Sequence, residues 1–173
     1  MGRSFLRNEH FLLSVIFACS SAWINDWDKP FSFECPEHSF ISQIYSVHDN
    51  WFEDRRFEIG CRNYTTKLEK CRWSEAANKF NQPLIFQCSG GEIITGMRSN
   101  HSDIQEDRSY QFKCCQVKGV LTYNCEFTQV LNSFNEEMAY TVPPGQVLRG
   151  VISYHDNKTQ LSPRFFRTCI NVK

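Results

Sequence analysis

Two stretches of the chain share one pattern, and this pattern decides the fold. Residues 53–61 read EDRRFEIGC, and residues 106–114 read EDRSYQFKC. In both, an acidic pair and an arginine lead into alternating polar and apolar side chains, and a cysteine closes the segment. Alternation of this kind is typical of a half-buried β-strand. The two stretches therefore predict equivalent strands in two copies of one structural unit.

The sequence before each stretch repeats in the same register. A cysteine stands 26 residues before each closing cysteine, and a serine and a histidine follow it after 11 and 13 residues. A third, degenerate copy begins at Val142 in place of the first cysteine. The equivalent positions are Cys35, Cys88 and Val142; Ser46, Ser99 and Ser153; and His48, His101 and His155. Self-similarity at a fixed period indicates a repeat architecture.

Each copy reads as β structure. Residues 31–35 and 84–88 alternate as first strands, residues 93–99 and 147–153 read as second strands, and glycine and proline mark turns between them. A short helical turn is expected at residues 74–80. We predict an all-β fold of three pseudo-repeated antiparallel units, about 23–61, 71–115 and 125–169, in one compact, disulfide-stapled domain spanning residues 23–173.

The first 22 residues resemble a signal peptide. Arg3 and Arg7 precede a nine-residue apolar run at 11–19, and small residues favour cleavage after Ala22. Nine residues are too short to cross a bilayer as a helix, so no membrane anchor is expected. Three N-glycosylation sequons agree with secretion to the extracellular space or matrix. They begin at Asn63, Asn100 and Asn157.

Nine cysteines point to a disulfide framework. Cleavage removes Cys19 and leaves an even number, which is typical of a fully paired secreted protein. The repeat predicts equivalent bridges Cys35–Cys61 and Cys88–Cys114. Position 142 offers no thiol, so Cys125 takes Cys169 and Cys71 takes Cys115. Cys114 and Cys115 are adjacent, and an exchange of their partners stays open.

Composition and motifs exclude several classes of function. The formal net charge is zero, so there is no basic footprint for nucleic acid. The chain has no G-x-S-x-G nucleophile motif, no H-E-x-x-H zinc motif and no glycine-rich phosphate loop. We expect no enzymatic activity and no cofactor.

The acidic-arginine pairs are the first candidate residues. Asp54 with Arg55, and Asp107 with Arg108, could grip a glycan or matrix ligand through a carboxylate and a guanidinium. The interpretation that we favour is structural, with ion pairs or carboxylate–amide bonds that fix the loop before the third strand.

The histidine loops are the second candidate. His48, Asp49 and Asn50 form one loop, and the equivalent residues are His101, Asp103, His155 and Asp156. Such loops offer several donors and acceptors to a hydroxyl-rich ligand, so we expect them to contact it. Convergence of the three histidines on zinc is the less favoured alternative, and no metal site is expected.

These residues resemble the dermatopontin family. The resemblance rests on the two repeated EDR…C stretches, on Asp26-Trp27 before residues 31–36, and on Cys71-Arg72-Trp73 before Gln87-Cys88. It implies a secreted, non-enzymatic matrix or cell-adhesion protein that binds matrix proteins and proteoglycans and supports collagen fibril organisation. The alternative is a lectin of the haemagglutinin or aggregation-factor kind that binds cell-surface glycans. Either kind can act as a homo-oligomer.

Overall fold

The computed structural model describes residues 23–119, 121–133, 135–154 and 164–172, with side chains left undescribed at 121–123 and 164–172. Eleven strands and no helix form within these ranges, as the predicted all-β class requires. The strands are β1 (Phe31–Glu34), β2 (Ser39–Asp49), β3 (Asp54–Asn63), β4 (Leu68–Trp73), β5 (Leu84–Gln87), β6 (Ile93–Ser102), β7 (Asp107–Val117), β8 (Leu121–Phe127), β9 (Met138–Thr141), β10 (Gln146–Ser153) and β11 (Arg164–Val172). The predicted signal peptide lies outside the described residues.

Three antiparallel hairpins form the centres of three sheets. The first hairpin is β2–β3, the second is β6–β7 and the third is β10–β11. The sheet orders are β3-β2-β9, β1-β6-β7-β4 and β5-β10-β11-β8. The strands β4 and β8 cover the outer edges of the second and third hairpins.

Each short strand pairs with the hairpin of a neighbouring unit instead of its own, and this exchange joins the hairpins. β1 precedes the first hairpin but pairs with β6 of the second, β5 pairs with β10 of the third, and β9 returns to β2 of the first. The sheets therefore do not coincide with the predicted sequence units, since each sheet takes a strand from a neighbouring unit. This cyclic exchange makes each hairpin depend on the one next to it.

A β-bulge in each hairpin receives the end of the exchanged strand. The register shifts at equivalent positions, Ser42, Thr95 and Arg149. The three bulge carbonyls accept hydrogen bonds of 2.8–2.9 Å from the backbone amides of Val142, Cys35 and Cys88, respectively. A bulge re-aims the backbone of a strand, and here it points one carbonyl at the neighbouring unit. Val142 makes this bond without a thiol because only the backbone takes part.

The hydrophobic core lies where the three sheets meet. Phe57, Tyr110 and Phe112 from the hairpins are buried with Phe31 and Met138 from the exchanged strands. Aromatic pairs hold this centre, with ring centroids 5.5 Å apart for Phe31–Phe57 and 6.3 Å apart for Phe57–Tyr110. These contacts are typical of close-packed aromatic cores. Among the described residues, no helix is long and apolar enough to cross a bilayer.

Three disulfides are described, and they are three of the pairings expected from the repeat. They are Cys35–Cys61, Cys71–Cys115 and Cys88–Cys114. The alternative in which Cys114 and Cys115 exchange partners is therefore not the one formed. Cys125 is also disulfide-bonded, and its expected partner Cys169 lies outside the described side chains.

A buried asparagine takes the place of the helical turn expected at residues 74–80. The amide nitrogen of Asn78 donates to the carbonyl of Arg108 at 2.8 Å, and its Oδ1 accepts from the amide of Tyr110 at 2.9 Å. Asn25 makes the same two bonds to the edge of β3. These side chains bond the strand edges that the backbone of the segment leaves free, and no helical turn forms at residues 74–80.

Asn78→Ala tests this role. The variant leaves a buried donor and a buried acceptor on β7 unsatisfied, and we expect it to lower the free energy of unfolding by about 1–3 kcal/mol. Asn100→Ala, at an exposed position on β6, is the matched control and should change stability by less than about 0.5 kcal/mol. Urea unfolding of unglycosylated protein measures both. Equal stability of the two variants would contradict the assigned role.

Candidate functional site

The predicted site residues collect at the tips of the hairpins. The first tip comprises residues 48–54 and the second comprises residues 101–107. Asp49, predicted as a ligand contact, holds the first turn, because its Oδ1 accepts from the amides of Trp51 at 2.8 Å and Phe52 at 3.3 Å. Glu53 and Glu106 have positive φ at equivalent positions just before β3 and β7. The two tips therefore share one turn geometry.

A buried ion pair joins the two tips. Arg108 Nε donates to Asp54 Oδ1 at 2.6 Å, and Arg108 Nη2 donates to Oδ2 at 2.7 Å. The two side chains are only 4% and 1% exposed. Arg108 also donates to the carbonyl of Lys29, and Asp54 accepts from the amide of Asp28. The pair thus ties the first tip, the second tip and the segment before β1 together.

Arg55 and Asp107 take other partners. Arg55 donates to Ser46 Oγ at 3.2 Å and to the carbonyl of Glu136 at 2.6 Å. Asp107 Oδ2 accepts from the amide of Asn81 at 2.8 Å. The bond from Arg55 to Glu136 joins the first unit to the third, and two of the three bonds are made with backbone groups. The geometry favours the structural interpretation of the acidic-arginine pairs over the ligand-gripping one.

The ion pair sets the protonation of Asp54. Burial alone raises the pKa of this carboxyl, but the hydrogen bonds and charge of Arg108 and the backbone amides of Asp28 and Arg55 outweigh it. The pKa of Asp54 is therefore lowered from its ordinary value, and the carboxylate stays ionised at neutral pH.

His101 lies inside a cage of carboxylates. Its Nδ1 is 3.1 Å from Asp103 Oδ1 and 3.8 Å from Asp28 Oδ1, and its Nε2 is 3.9 Å from both Asp54 Oδ1 and Glu106 Oε2. The His101 side chain is 1% exposed. The side chain of His101 therefore lies beneath the surface of the tip, and the ligand contact predicted for it stays a prediction.

The pKa of Glu106 reflects the negative charge of the cage. Burial raises the pKa of Glu106; the charge of His101 opposes that effect, and the charges of Glu53, Asp28 and Asp103 add to it.

His48, at the equivalent position of the first tip, has a different environment. Burial and the charge of Arg55 lower its pKa, although Asn50, Asp54 and Asp49 oppose the shift.

The exposed groups of the tips are apolar and acidic. Trp51 is 89% exposed and Ile104, its equivalent on the second tip, is 90% exposed. The Asp103 side chain is 81% exposed. Asn50 is exposed and accepts a hydrogen bond from Asn135 at 2.8 Å. Trp51 and Ile104 are not among the predicted site residues, although they stand 16 residues after Cys35 and Cys88, respectively, in the repeat register.

An aromatic patch adjoins the first tip. Phe52 stacks on Trp27 with ring centroids 5.5 Å apart, and Arg56 lies 4.9 Å from the ring centroid of Trp23 and 5.4 Å from that of Trp27. We call Trp23, Trp27, Phe52 and Arg56 the aromatic patch. Stacked rings with a guanidinium over them form a rigid surface that remains partly open to solvent.

The remaining predicted residues lie at the periphery or beyond the described ranges. Asn63 ends β3 and accepts a hydrogen bond from Ser39 Oγ, and Asn100 is exposed on β6. His155, Asp156 and Asn157 lie outside the described residues, so the third tip is not part of the site as we describe it.

Comparisons with known proteins identify relatives over almost the whole described chain. The family model described as dermatopontin matches residues 25–171. A protein named dermatopontin from Biomphalaria glabrata is 41% identical over 78% of this chain and 90% of its own length. A protein named hemagglutinin/amebocyte aggregation factor from Limulus polyphemus is 36% identical over 94% of this chain and 96% of its own length. Millepora cytotoxin-1 from Millepora dichotoma is 34% identical over 78% of this chain and 60% of its own length. No solved structure matches the chain.

Arg108→Ala tests the tie between the tips. It leaves the Asp54 carboxylate buried without its partner, and we expect a loss of about 3–5 kcal/mol in the free energy of unfolding. The control is Lys113→Ala, which removes a more exposed ion pair with Glu34 and should cost about 0–1 kcal/mol. Chemical denaturation measures both. Similar losses would show that the buried pair has no special role.

The pH dependence of this loss provides an independent prediction. In the wild type, the lowered pKa of Asp54 means that the pair stabilises fully above about pH 4 and loses its effect as the pH falls through the folded-state pKa. In Arg108→Ala, burial without the cation raises the pKa of Asp54. Acid therefore protonates this carboxylate and removes the cost of burying an unpaired charge in the variant. The difference in unfolding free energy should therefore shrink between about pH 6 and pH 3. A constant difference over this range would contradict the assignment.

Proposed function

Because the chain belongs to the dermatopontin family, we propose that it is a secreted, non-enzymatic matrix and cell-adhesion protein. It binds matrix components such as proteoglycans and supports collagen fibril organisation. The family match over residues 25–171 and the relatives named dermatopontin support this class of function. The predicted signal peptide and sequons agree with an extracellular glycoprotein, with Asn63 and Asn100 on the described surface.

The observation that carries the proposal is the pair of equivalent exposed tips. Trp51 and Ile104 project from neighbouring hairpins that the Asp54–Arg108 pair holds together. Single exposed apolar residues are common on protein surfaces. Two at the same position of a repeated turn can make the same kind of contact with a ligand twice. Asp49, Asn50 and Asp103 supply polar groups beside them.

The mechanism that we propose is multivalent binding. Each tip makes a weak contact, and the fixed spacing of the tips converts the second contact into an intramolecular event. Avidity then exceeds the affinity of either tip, so crosslinking of fibrils or cells requires no chemical step. Binding through two tips also tolerates the near-neutral charge of the chain, since it does not depend on an electropositive surface.

A lectin is the second candidate function. The relative named hemagglutinin/amebocyte aggregation factor aligns over 94% of this chain, and the aromatic patch lies next to the polar groups of the first tip. Ring faces provide apolar platforms, and His48, Asn50 and Arg56 provide hydrogen-bonding groups around them. This arrangement favours a hydroxyl-rich ligand at the first tip.

An array of neutral glycans, glycosaminoglycans and matrix proteins distinguishes the two functions. The matrix function predicts saturable binding to proteoglycan and matrix proteins and no binding to neutral glycans. Saturable binding to defined neutral glycans at physiological salt would instead establish the lectin. Binding to sulfated chains that disappears at physiological salt is non-specific attraction and would support neither glycan recognition nor the lectin.

Removal of the exposed apolar side chains of the two tips should weaken adhesion without affecting the fold. We expect Trp51→Ala with Ile104→Ala to weaken binding to immobilised proteoglycan at least about tenfold, because both contacts of a bivalent interaction are removed. The control is Ile85→Ala with Phe127→Ala, which removes exposed apolar side chains from other strands. Both variants should melt within a few degrees of the wild type. Equal binding by the two variants would exclude the tips as the binding surface.

A further inference from the structure

In the neutral ring of His101, the tautomer that Asp103 selects leaves one buried nitrogen with an unused lone pair. Asp103 Oδ1 lies 3.1 Å from Nδ1, and an ionised carboxylate only accepts hydrogen bonds, so Nδ1 carries the proton in the neutral ring. Nε2 then keeps its lone pair. Among the described residues, Nε2 is buried without any hydrogen-bond partner, and Asp28 Oδ1 is buried in the same way.

The surroundings of this nitrogen are unfavourable unless a cation lies among them. Nε2 is 3.9 Å from Asp54 Oδ1 and 3.9 Å from Glu106 Oε2, which is too far for a hydrogen bond. A lone pair and two carboxylate oxygens repel one another at this spacing. The carboxylates of the cage outnumber the single guanidinium of Arg108, so negative charge is in excess.

We propose that this junction binds one divalent transition-metal ion of the zinc or manganese class through His101 Nε2, Asp54 Oδ1 and a carboxylate oxygen of Asp28, with Glu106 beside them. Metal–ligand distances of about 2.0–2.2 Å place two ligand atoms of one ion at most about 4.4 Å apart. The separation of 3.9 Å between His101 Nε2 and Asp54 Oδ1 lies within this limit. One ligand atom each from Asp28, Asp54 and His101 lies within 4.8 Å of the others, so Asp28 Oδ1 is close enough to complete the set after a small shift.

The contacts around the ligands are those that metal sites require. A metal-binding histidine commonly donates its other ring nitrogen to a carboxylate, and Asp103 receives that hydrogen bond here. Arg108 uses only part of the accepting capacity of Asp54, because each carboxylate oxygen has two lone pairs. One imidazole with several carboxylates suits zinc or manganese better than calcium, which prefers oxygen ligands alone.

The site is specific to the second tip. His48 occupies the equivalent place on the first tip, where Arg55 contributes positive charge. Asp28 stands seven residues before Cys35, and the equivalent positions before Cys88 and Val142 are Asn81 and Asn135. Neither amide provides a charge. The repeat therefore predicts one ion per chain, in contrast to the three-histidine arrangement weighed from the sequence.

Calorimetric titration of the chelator-stripped protein with zinc or manganese chloride tests the proposal. We expect one saturable ion per chain, no measurable binding in His101→Ala, and binding weakened about 10–100-fold in Asp103→Asn. His48→Ala should bind as the wild type does. The proposal does not depend on the adhesion function, because the readout is the metal alone.

Folding of the variants is checked by thermal unfolding in the presence of chelator. If His101→Ala does not fold, Asp28→Asn replaces it, since it removes the charge of a ligand and keeps the size of the side chain. The ion should raise the melting temperature of the wild type and of His48→Ala, and it should leave that of His101→Ala unchanged. Absence of saturable binding in the wild type, or equal binding in folded His101→Ala, would overturn the proposal.

Discussion

The buried pair of Asp54 and Arg108 is the interaction on which the candidate site depends. It joins the first and second hairpins at their tips, and it also fixes the segment before β1 through Lys29 and Asp28. A buried ion pair contributes little net stability over an apolar pair of similar volume, but removal of one partner is costly. Its main contribution is geometric, since it sets the spacing of the two tips and places the carboxylate of Asp54 beside His101.

The exchange of short strands brings this pair together. β1 leaves its own hairpin and adds to β6, so the segment before β1 lies beneath the second tip. The same arrangement places the segment before β9 beneath the first tip, where Asn135 meets Asn50. Each of the two described tips is therefore built on a neighbouring unit. A change in one unit is therefore expected to alter the site of the next. The binding surface depends on the packing of neighbouring units and not on a single loop.

Much of the fold could be predicted from the sequence because β structure has a local signature. The alternation after Arg55 and Arg108 marked β3 and β7, and the 26-residue spacing of cysteines predicted two of the disulfides. The exchange could not be predicted, since a short strand such as β1 carries no local information about its partner. The enclosure of His101 was missed for the same reason: Asp28 and Asp54 come to it from another unit. Trp51 and Ile104 were visible in the repeat, but exposure has no sequence signal of its own.

The account's central claim is that the hairpin tips form the binding surface of an adhesion protein. Hydrogen–deuterium exchange of the protein, free and bound to a proteoglycan carrying sulfated chains, tests it most directly. We expect protection on binding in residues 48–54 and 101–107, and no change in the amides of β5 and β10, which lie in another sheet. Protection confined to those strands, with unchanged exchange at both tips, would contradict the claim.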